Sequence, residues 1–145
     1  MTETSAQEPS ARPRAATVAD VMRPPVTTLE QDDHAAAAAY LMKRSGATAL
    51  VVLGDEDTNQ LIGLITEADI VKAVADGKDL NELRIHDLMT RHPTVIGAAT
   101  GIREAAESMM KGHFRHLPVV SDAGLVGIVD IVDVCRALLD PPVIG

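Results

Sequence analysis

Gly63-Leu64-Ile65-Thr66-Glu67-Ala68-Asp69-Ile70 returns later in the chain as Gly127-Ile128-Val129-Asp130-Ile131-Val132-Asp133-Val134. A stretch that repeats at a fixed spacing marks a fold assembled from copies of one unit. Working backwards from it, Val18-Ala19-Asp20-Val21-Met22 answers to Ile85-His86-Asp87-Leu88-Met89, and Pro25 to Pro93. Ala37, Ala38, Met42 and Lys43 align with Ala105, Ala106, Met110 and Lys111, and Leu50-Val51-Val52 with Pro118-Val119-Val120. On this alignment the spacing runs from 67 to 68 to 64. It places one extra residue after Met89 and four in the polar run from Gly54 to Gln60, where a loop absorbs them. Two units of about sixty residues thus fill 18 to 140.

Each unit opens with a short helical turn ending at Met22 or Met89, followed by an extended segment, Pro25-Val26-Thr27-Thr28 or Pro93-Thr94-Val95-Ile96. A helix is predicted from Asp33 to Arg44 and from Gly101 to Lys111. A strand follows through Leu50-Val51-Val52-Leu53 or Leu117-Pro118-Val119-Val120, and a second through 61–65 or 125–129, rich in the β-branched residues of a covered sheet. Helices from Glu67 to Ala75 and from Ile131 to Leu139 close the units. The order is β-α-β-β-α, twice, an α/β (α+β) fold. The run Ala35-Ala36-Ala37-Ala38-Ala39-Tyr40-Leu41-Met42 is apolar around its circumference, and 131–139 nearly so. A helix that buries only one face shows a polar stripe, so these helices are expected to touch the sheet on one side and, on the other, a second subunit, the alternative being that the two copies cover each other.

Composition removes several function classes. Tyr40 and Phe114 are the only aromatic residues, so stacking platforms for nucleic-acid bases are absent. The net charge of -8 and pI near 4.9 lack the basic stripe that phosphate backbones require. Residues 1–16 read as a disordered tail without the apolar core of a signal peptide, and no run reaches the length of a membrane span. The expectation is a cytoplasmic protein with no membrane or nucleic-acid partner. Cys135, the single cysteine, stands in an apolar run and reads as a buried, inert thiol. His113 and His116 lack the further ligands of a metal site, and no nucleophile-base-acid set or Walker loop is present. Neither catalysis nor a metal is expected.

Thr66-Glu67-Ala68-Asp69 lies where strand passes into helix. Thr followed three residues later by an acid forms a capping box, and Asp130 with Asp133 satisfies the same pattern. Beyond capping, a helix start offers N–H groups to an anion. The Thr66 hydroxyl is able to donate to a phosphate oxygen, and the Asp69 carboxylate to accept from both hydroxyls of a ribose. At Asp130 a carboxylate replaces that hydroxyl and repels phosphate by about a kcal/mol or more at short range, so two such sites would not be equivalent.

The repeated β-α-β-β-α unit, with Asp20-Val21-Met22, Pro25-Val26-Thr27, Leu117-Pro118-Val119-Val120 and both Gly-containing stretches in order, resembles the CBS domain, and two in tandem resemble a CBS pair or Bateman module. The resemblance implies repeats over 17–78 and 79–140, between tails 1–16 and 141–145, packed with pseudo-twofold symmetry. It implies two clefts that bind adenosine compounds. One would be formed by Thr66 and Asp69, with Asp69 on the ribose, and walled by Thr94, Val95, Phe114, Arg115, His116 and Leu117. The second, weaker one would hold Asp133 and Asp130, with Thr27, Thr28, Ala47, Thr48 and Ala49, and no cation matching Arg115. Its expected state is empty, or filled by an uncharged or cationic adenosyl group such as S-adenosylmethionine. The implied function is a stand-alone regulatory sensor and homodimer, taking AMP, ADP or ATP in the first cleft and conveying it to a protein partner, with no cofactor required. The alternative is an architectural homodimer with degenerate clefts.

Overall fold

The computed structural model of the protein describes residues 17–26, 30–54 and 60–140. A 3-10 turn, Val18–Asp20, precedes α1 (Ala35–Ser45), β1 (Ala49–Leu53), β2 (Leu61–Thr66) and α2 (Glu67–Ala75). The second half repeats the plan with α3 (Ile85–Leu88), β3 (Thr90–Arg91), β4 (Ile96–Gly97), α4 (Ile102–Gly112), β5 (His116–Ser121), β6 (Gly124–Asp130) and α5 (Ile131–Leu139). The predicted helices and the two longer strands of each unit agree with these bounds to within two residues, whereas of the extended segment predicted over 93–96 only Ile96 is in a strand, and β3 has no counterpart among the predicted strands. The strands form two three-stranded sheets, β1-β2-β3 and β4-β5-β6, antiparallel except for the parallel β4/β5 pair. Thr27 and Thr28, part of the first predicted extended segment, lie outside the described residues.

Each copy lends its opening segment to the other. Thr90 and Arg91 pair with Leu64 and Gly63 of the first copy, and Arg23 forms the matching bridge to Ile128 of the second. Val18 packs into the core made by Ile102, Met109, Leu117, Val119, Val129 and Val134, while Ile85 and Met89 enter the core of Leu50, Val52 and Ile65. The repeated glycines are where these segments cross. A Cβ on Gly63 would collide with the Met89 sulfur, and one on Gly127 would stand 2.7 Å from the Met22 sulfur and 3.0 Å from the Arg23 carbonyl oxygen. The sequence repeat therefore records a reciprocal contact, in which a methionine of each copy sits on a glycine of the other.

The pairing also corrects the register of the repeat. Ala49 opposes Thr66 as His116 opposes Asp130, and Leu50 opposes Ile65 as Leu117 opposes Val129. The bridges His34↔Arg84 and Thr17↔Gly101 are related in the same way. The spacing is thus a constant 67 from the opening turn to β1/β5, and 64 afterwards. The supposed extra residue after Met89 does not exist. Met42 matches buried Met109, whereas Met110 is 72% exposed; two adjacent methionines had allowed the wrong one to be aligned.

In β2, Ile62 and Ile65 face the helices, and Leu61 and Leu64 face the other sheet with Val51, Leu125 and Ile128. A residue spacing of three between inward positions breaks simple alternation, and the register shift at Val52/Leu53 supplies the break, as a β-bulge does. The same shift at Val119/Val120 acts on β6. Cys135 departs from expectation: it is exposed, because the inward face of α5 is set by Asp133, Val134 and Ala137, and Cys135 falls one step round the helix. Tyr40 on α1, Val71 and Val74 on α2, and Val132 and Leu139 on α5 are all more than half exposed.

Candidate functional site

Two clefts of nearly equal size, about 390 Å³ and 370 Å³, lie where the sheets' strand ends meet the helix starts. Both suit a small ligand. Their volumes do not separate them, so the difference must be chemical.

The first cleft is lined by the expected Thr66 and Asp69 on one side and Thr94, Phe114, Arg115 and His116 on the other, with Thr48, Leu64, Glu67, Ala68, Thr90, Pro93 and His113 in addition. Two expected residues do not take part. Leu117 is 1% exposed and belongs to the core, because strand alternation sends it to the face opposite its neighbour His116. Val95 is exposed and lies outside the lining.

Thr66 and Asp69 make the full capping box. Asp69 Oδ2 accepts from the Thr66 backbone N–H at 2.8 Å and from its hydroxyl at 3.0 Å, and the Asp69 N–H donates to Thr66 Oγ1 at 3.3 Å. The hydroxyl proton foreseen for a phosphate is thus directed to Asp69. The Glu67 N–H donates to the Thr48 carbonyl at 2.9 Å, so the helix start offers an anion less than its sequence suggests. All the hydrogen bonds of the Asp69 carboxylate among the described residues use Oδ2. Oδ1 remains available to a ligand.

Positive charge enters from the opposite wall. Arg115 is exposed at the rim, and His113 ends α4 in the left-handed region at φ 57°. His116 Nε2 lies 2.7 Å from Thr48 Oγ1, and the two residues line both clefts. Burial pushes the His116 imidazole below its ordinary value, and Arg115 adds to this, against the pull of Asp130 and Glu67 in the other direction. His116 is therefore a neutral hydrogen-bonding group at neutral pH, and Arg115 carries the permanent charge.

The second cleft gathers Asp130, Asp133, Ala47, Thr48 and Ala49 as expected; Thr27 and Thr28 lie outside the described residues. Thr48 stands where the first cleft has Arg115, so no cation matches that one, but a different cation, Arg23, enters the cleft from the opening segment. Arg23 donates from Nε to both Asp133 oxygens at 3.1 Å and from Nη2 to Oδ1 at 2.7 Å. Asp133 is 5% exposed and Arg23 60%. The Asp133 N–H donates to Asp130 Oδ1 at 2.8 Å, completing the same cap as in the first cleft. Sequence comparison of the repeats missed Arg23 because its counterpart is Thr90, an uncharged residue.

Burial would raise the Asp133 carboxyl, but the Arg23 hydrogen bonds, the Asp130 N–H and the guanidinium charge outweigh it and hold the group below its usual value. A carboxylate depressed in the fold contributes stability that is present above its unfolded value and lost as pH falls through the folded one. Arg23→Thr is expected to lower unfolding free energy at pH 7 by about 1–3 kcal/mol, less than for a fully buried pair because Arg23 is largely exposed. The gap between variant and wild type should narrow by pH 2.5 in urea melts. A gap independent of pH would contradict the assignment.

The sequence profile of the CBS domain matches residues 18–76 and 85–140. Protein MJ1225 of Methanocaldococcus jannaschii is 37% identical over 123 residues, which are 83% of this chain and 42% of that protein, so the chain spans less than half of that relative's length. Among solved structures, the CBS-domain containing protein ATU1752 from Agrobacterium tumefaciens is similar at TM-score 0.78 and 30% identity, covering 87% of this chain and 96% of that one. CBSX2 in complex with AMP is similar at TM-score 0.71 and 27% identity, over 86% and 97% of the two chains. The CBS domain pair of MJ0100, in complex with 5′-methylthioadenosine and S-adenosyl-L-methionine, is similar at 0.73 and 28%, over 87% and 97%.

Proposed function

Because this chain belongs to the CBS-domain family and carries two copies of the domain, we propose that it is a regulatory module that takes an adenosine nucleotide in the Thr66/Asp69 cleft and transmits its presence to a protein partner. CBS pairs are regulatory modules, and two similar structures hold AMP or S-adenosylmethionine. The observation that carries the reading is the half-used carboxylate of Asp69, with Oδ1 uncommitted, in a cleft that also offers an apolar wall and a permanent cation. Ribose hydroxyls donate to Asp69. The adenine packs among Leu64, Pro93 and Phe114, and the phosphate lies toward Arg115. AMP, ADP and ATP share this grip, and AMP is the smallest ligand that uses all of it.

Phe114 is set for such a role by Gly112, where a Cβ would strike the phenyl ring. Phe114→Ala is expected to weaken AMP binding by about tenfold, the scale of one lost base–aromatic contact, with little change in melting temperature because the ring is 37% exposed.

The module works as a homodimer. The outward apolar residues of α1, α2 and α5 form the surface for a second copy, and monomers rarely leave such patches in water. Sedimentation at micromolar concentration should give a dimer, with Leu139→Glu shifting it toward monomer. The same surface would serve the architectural alternative, so the two readings part on ligand binding alone. A thermal-shift screen against AMP, ADP, ATP, NAD, S-adenosylmethionine and GTP tests this. A ligand at 100 times its Kd adds about 2.7 kcal/mol of apparent stability. A shift with adenosine nucleotides and none with GTP supports the sensor, and no shift with any compound supports the architectural dimer. A ligand that acts as a signal must also bind one state of the assembly better than another.

A further inference from the structure

Position 23 and its counterpart 90 distinguish the two clefts. Thr90 pairs with Leu64 as Arg23 pairs with Ile128, so the two residues occupy the same site in the pseudo-symmetric pair. Thr90 lines the first cleft, is uncharged, and among the described residues the Asp69 carboxylate is bonded to Thr66 alone. Arg23 lines the second and engages both oxygens of Asp133.

We propose that Arg23 is the residue that closes the second cleft, its guanidinium occupying the carboxylate on which a ribose would sit, so that the chain binds one nucleoside and not two. The inference rests on the reading of Asp69 as a ribose ligand, transferred to Asp133 by the symmetry of the capping boxes. Arg23 is not a chance visitor. Its backbone is held at the cleft by paired hydrogen bonds with Ile128, N–H to carbonyl at 2.8 Å and the reverse at 2.9 Å. Its fork meets the carboxylate through three contacts, the geometry in which arginine binds carboxylates most firmly. Arg136 Nη1 stands 3.8 Å from Asp133 Oδ1, and the Asp130 N–H donates to Oδ2 at 3.4 Å, so both carboxylate oxygens already have partners besides the Arg23 fork.

The rest of the cleft accords with closure. At the positions of Phe114 and Arg115 the second cleft has Ala47 and Thr48, and at the position of Thr66 it has Asp130. Among the described residues lining the cleft, a phosphate would find a carboxylate at Asp130 and no Lys or Arg besides Arg23. The cationic S-adenosylmethionine, expected to tolerate Asp130, would have to displace another cation. An uncharged nucleoside is therefore the cleanest probe of whether Arg23 is the obstacle.

The test is calorimetric titration with adenosine in saturating AMP, for wild type, Arg23→Thr, Arg23→Lys and Arg23→Thr/Asp133→Asn. Threonine is the residue the first cleft carries, and asparagine preserves a capping oxygen. Wild type should take up no adenosine beyond AMP, Arg23→Thr should gain one adenosine per chain, and the double variant should lose it. Arg23→Lys keeps the charge without the fork and should bind adenosine about tenfold more weakly than Arg23→Thr; if Arg23→Thr does not fold, a gain in Arg23→Lys over wild type decides for the proposal. A folded Arg23→Thr that takes up no adenosine, or a wild type that takes up as much as the variant, overturns it. Failure of AMP to bind any of the four proteins overturns the nucleotide reading of the first cleft, whereas the Asp133-dependent gain in Arg23→Thr stands or falls by itself.

Discussion

Asp69→Ala should weaken AMP binding by about two orders of magnitude or more. A carboxylate that accepts from both ribose hydroxyls makes two charge-assisted hydrogen bonds, each contributing about 1.5–3 kcal/mol, and a loss of about 3 kcal/mol already corresponds to more than a hundredfold in Kd. The same substitution removes the acceptor of the Thr66 N–H and hydroxyl, so stability falls as well, by about 1 kcal/mol as for other lost helix caps. Asp69→Asn separates the two effects. Its amide oxygen still accepts the Thr66 N–H, but the side chain is no longer an anion facing two donors. Melting temperature should stay near wild type while affinity drops by about tenfold or more. Unchanged AMP affinity in both variants, measured by calorimetry, would remove the ribose role from Asp69.

Gly127→Ala should destabilise the protein by about 1–3 kcal/mol, the usual cost of forcing a methyl group into occupied space. Gly63→Ala should cost less. The three atoms nearest the new methyl at 63 all belong to the Met89 side chain, a flexible group that is able to turn aside. At 127 it also meets the Arg23 carbonyl, a backbone atom held by the Ile128 N–H. Moving that backbone displaces Arg23 from Asp133, so damage at Gly127 extends to the second cleft. Equilibrium unfolding in urea of the two variants gives the comparison directly. Equal losses would show that the methionine contact alone sets the cost.

The repeat made most of the architecture legible before any coordinates. Strand and helix types followed from the β-branched runs at 61–65 and 125–129 and from the capping pairs Thr66/Asp69 and Asp130/Asp133, because these patterns are local. What escaped was what depends on the partner copy. Nothing near Met22 or Met89 says that each leaves its own copy to cover a glycine of the other. Nothing in the apolar stretch around Cys135 distinguishes an inward from an outward position until the phase of α5 is known.

The clefts divide in the same way. Thr66, Asp69, Phe114, Arg115 and His116 converge as the resemblance to a CBS pair implied, each lying at a strand end or helix start. Leu117 was misplaced by one step of strand alternation. Arg23 was missed because reading one copy against the other finds what is shared, and an arginine opposite a threonine is a difference. The residue that separates the clefts is thus the one a search for similarity passes over.

A crystal structure of the protein grown with AMP tests the central claim most directly. The account predicts one AMP per chain, its ribose on the Asp69 carboxylate, its adenine among Leu64, Pro93 and Phe114, and its phosphate toward Arg115, with Arg23 still bound to Asp133. AMP seated on Asp133 with Arg23 displaced, or both clefts empty at saturating AMP, would contradict it.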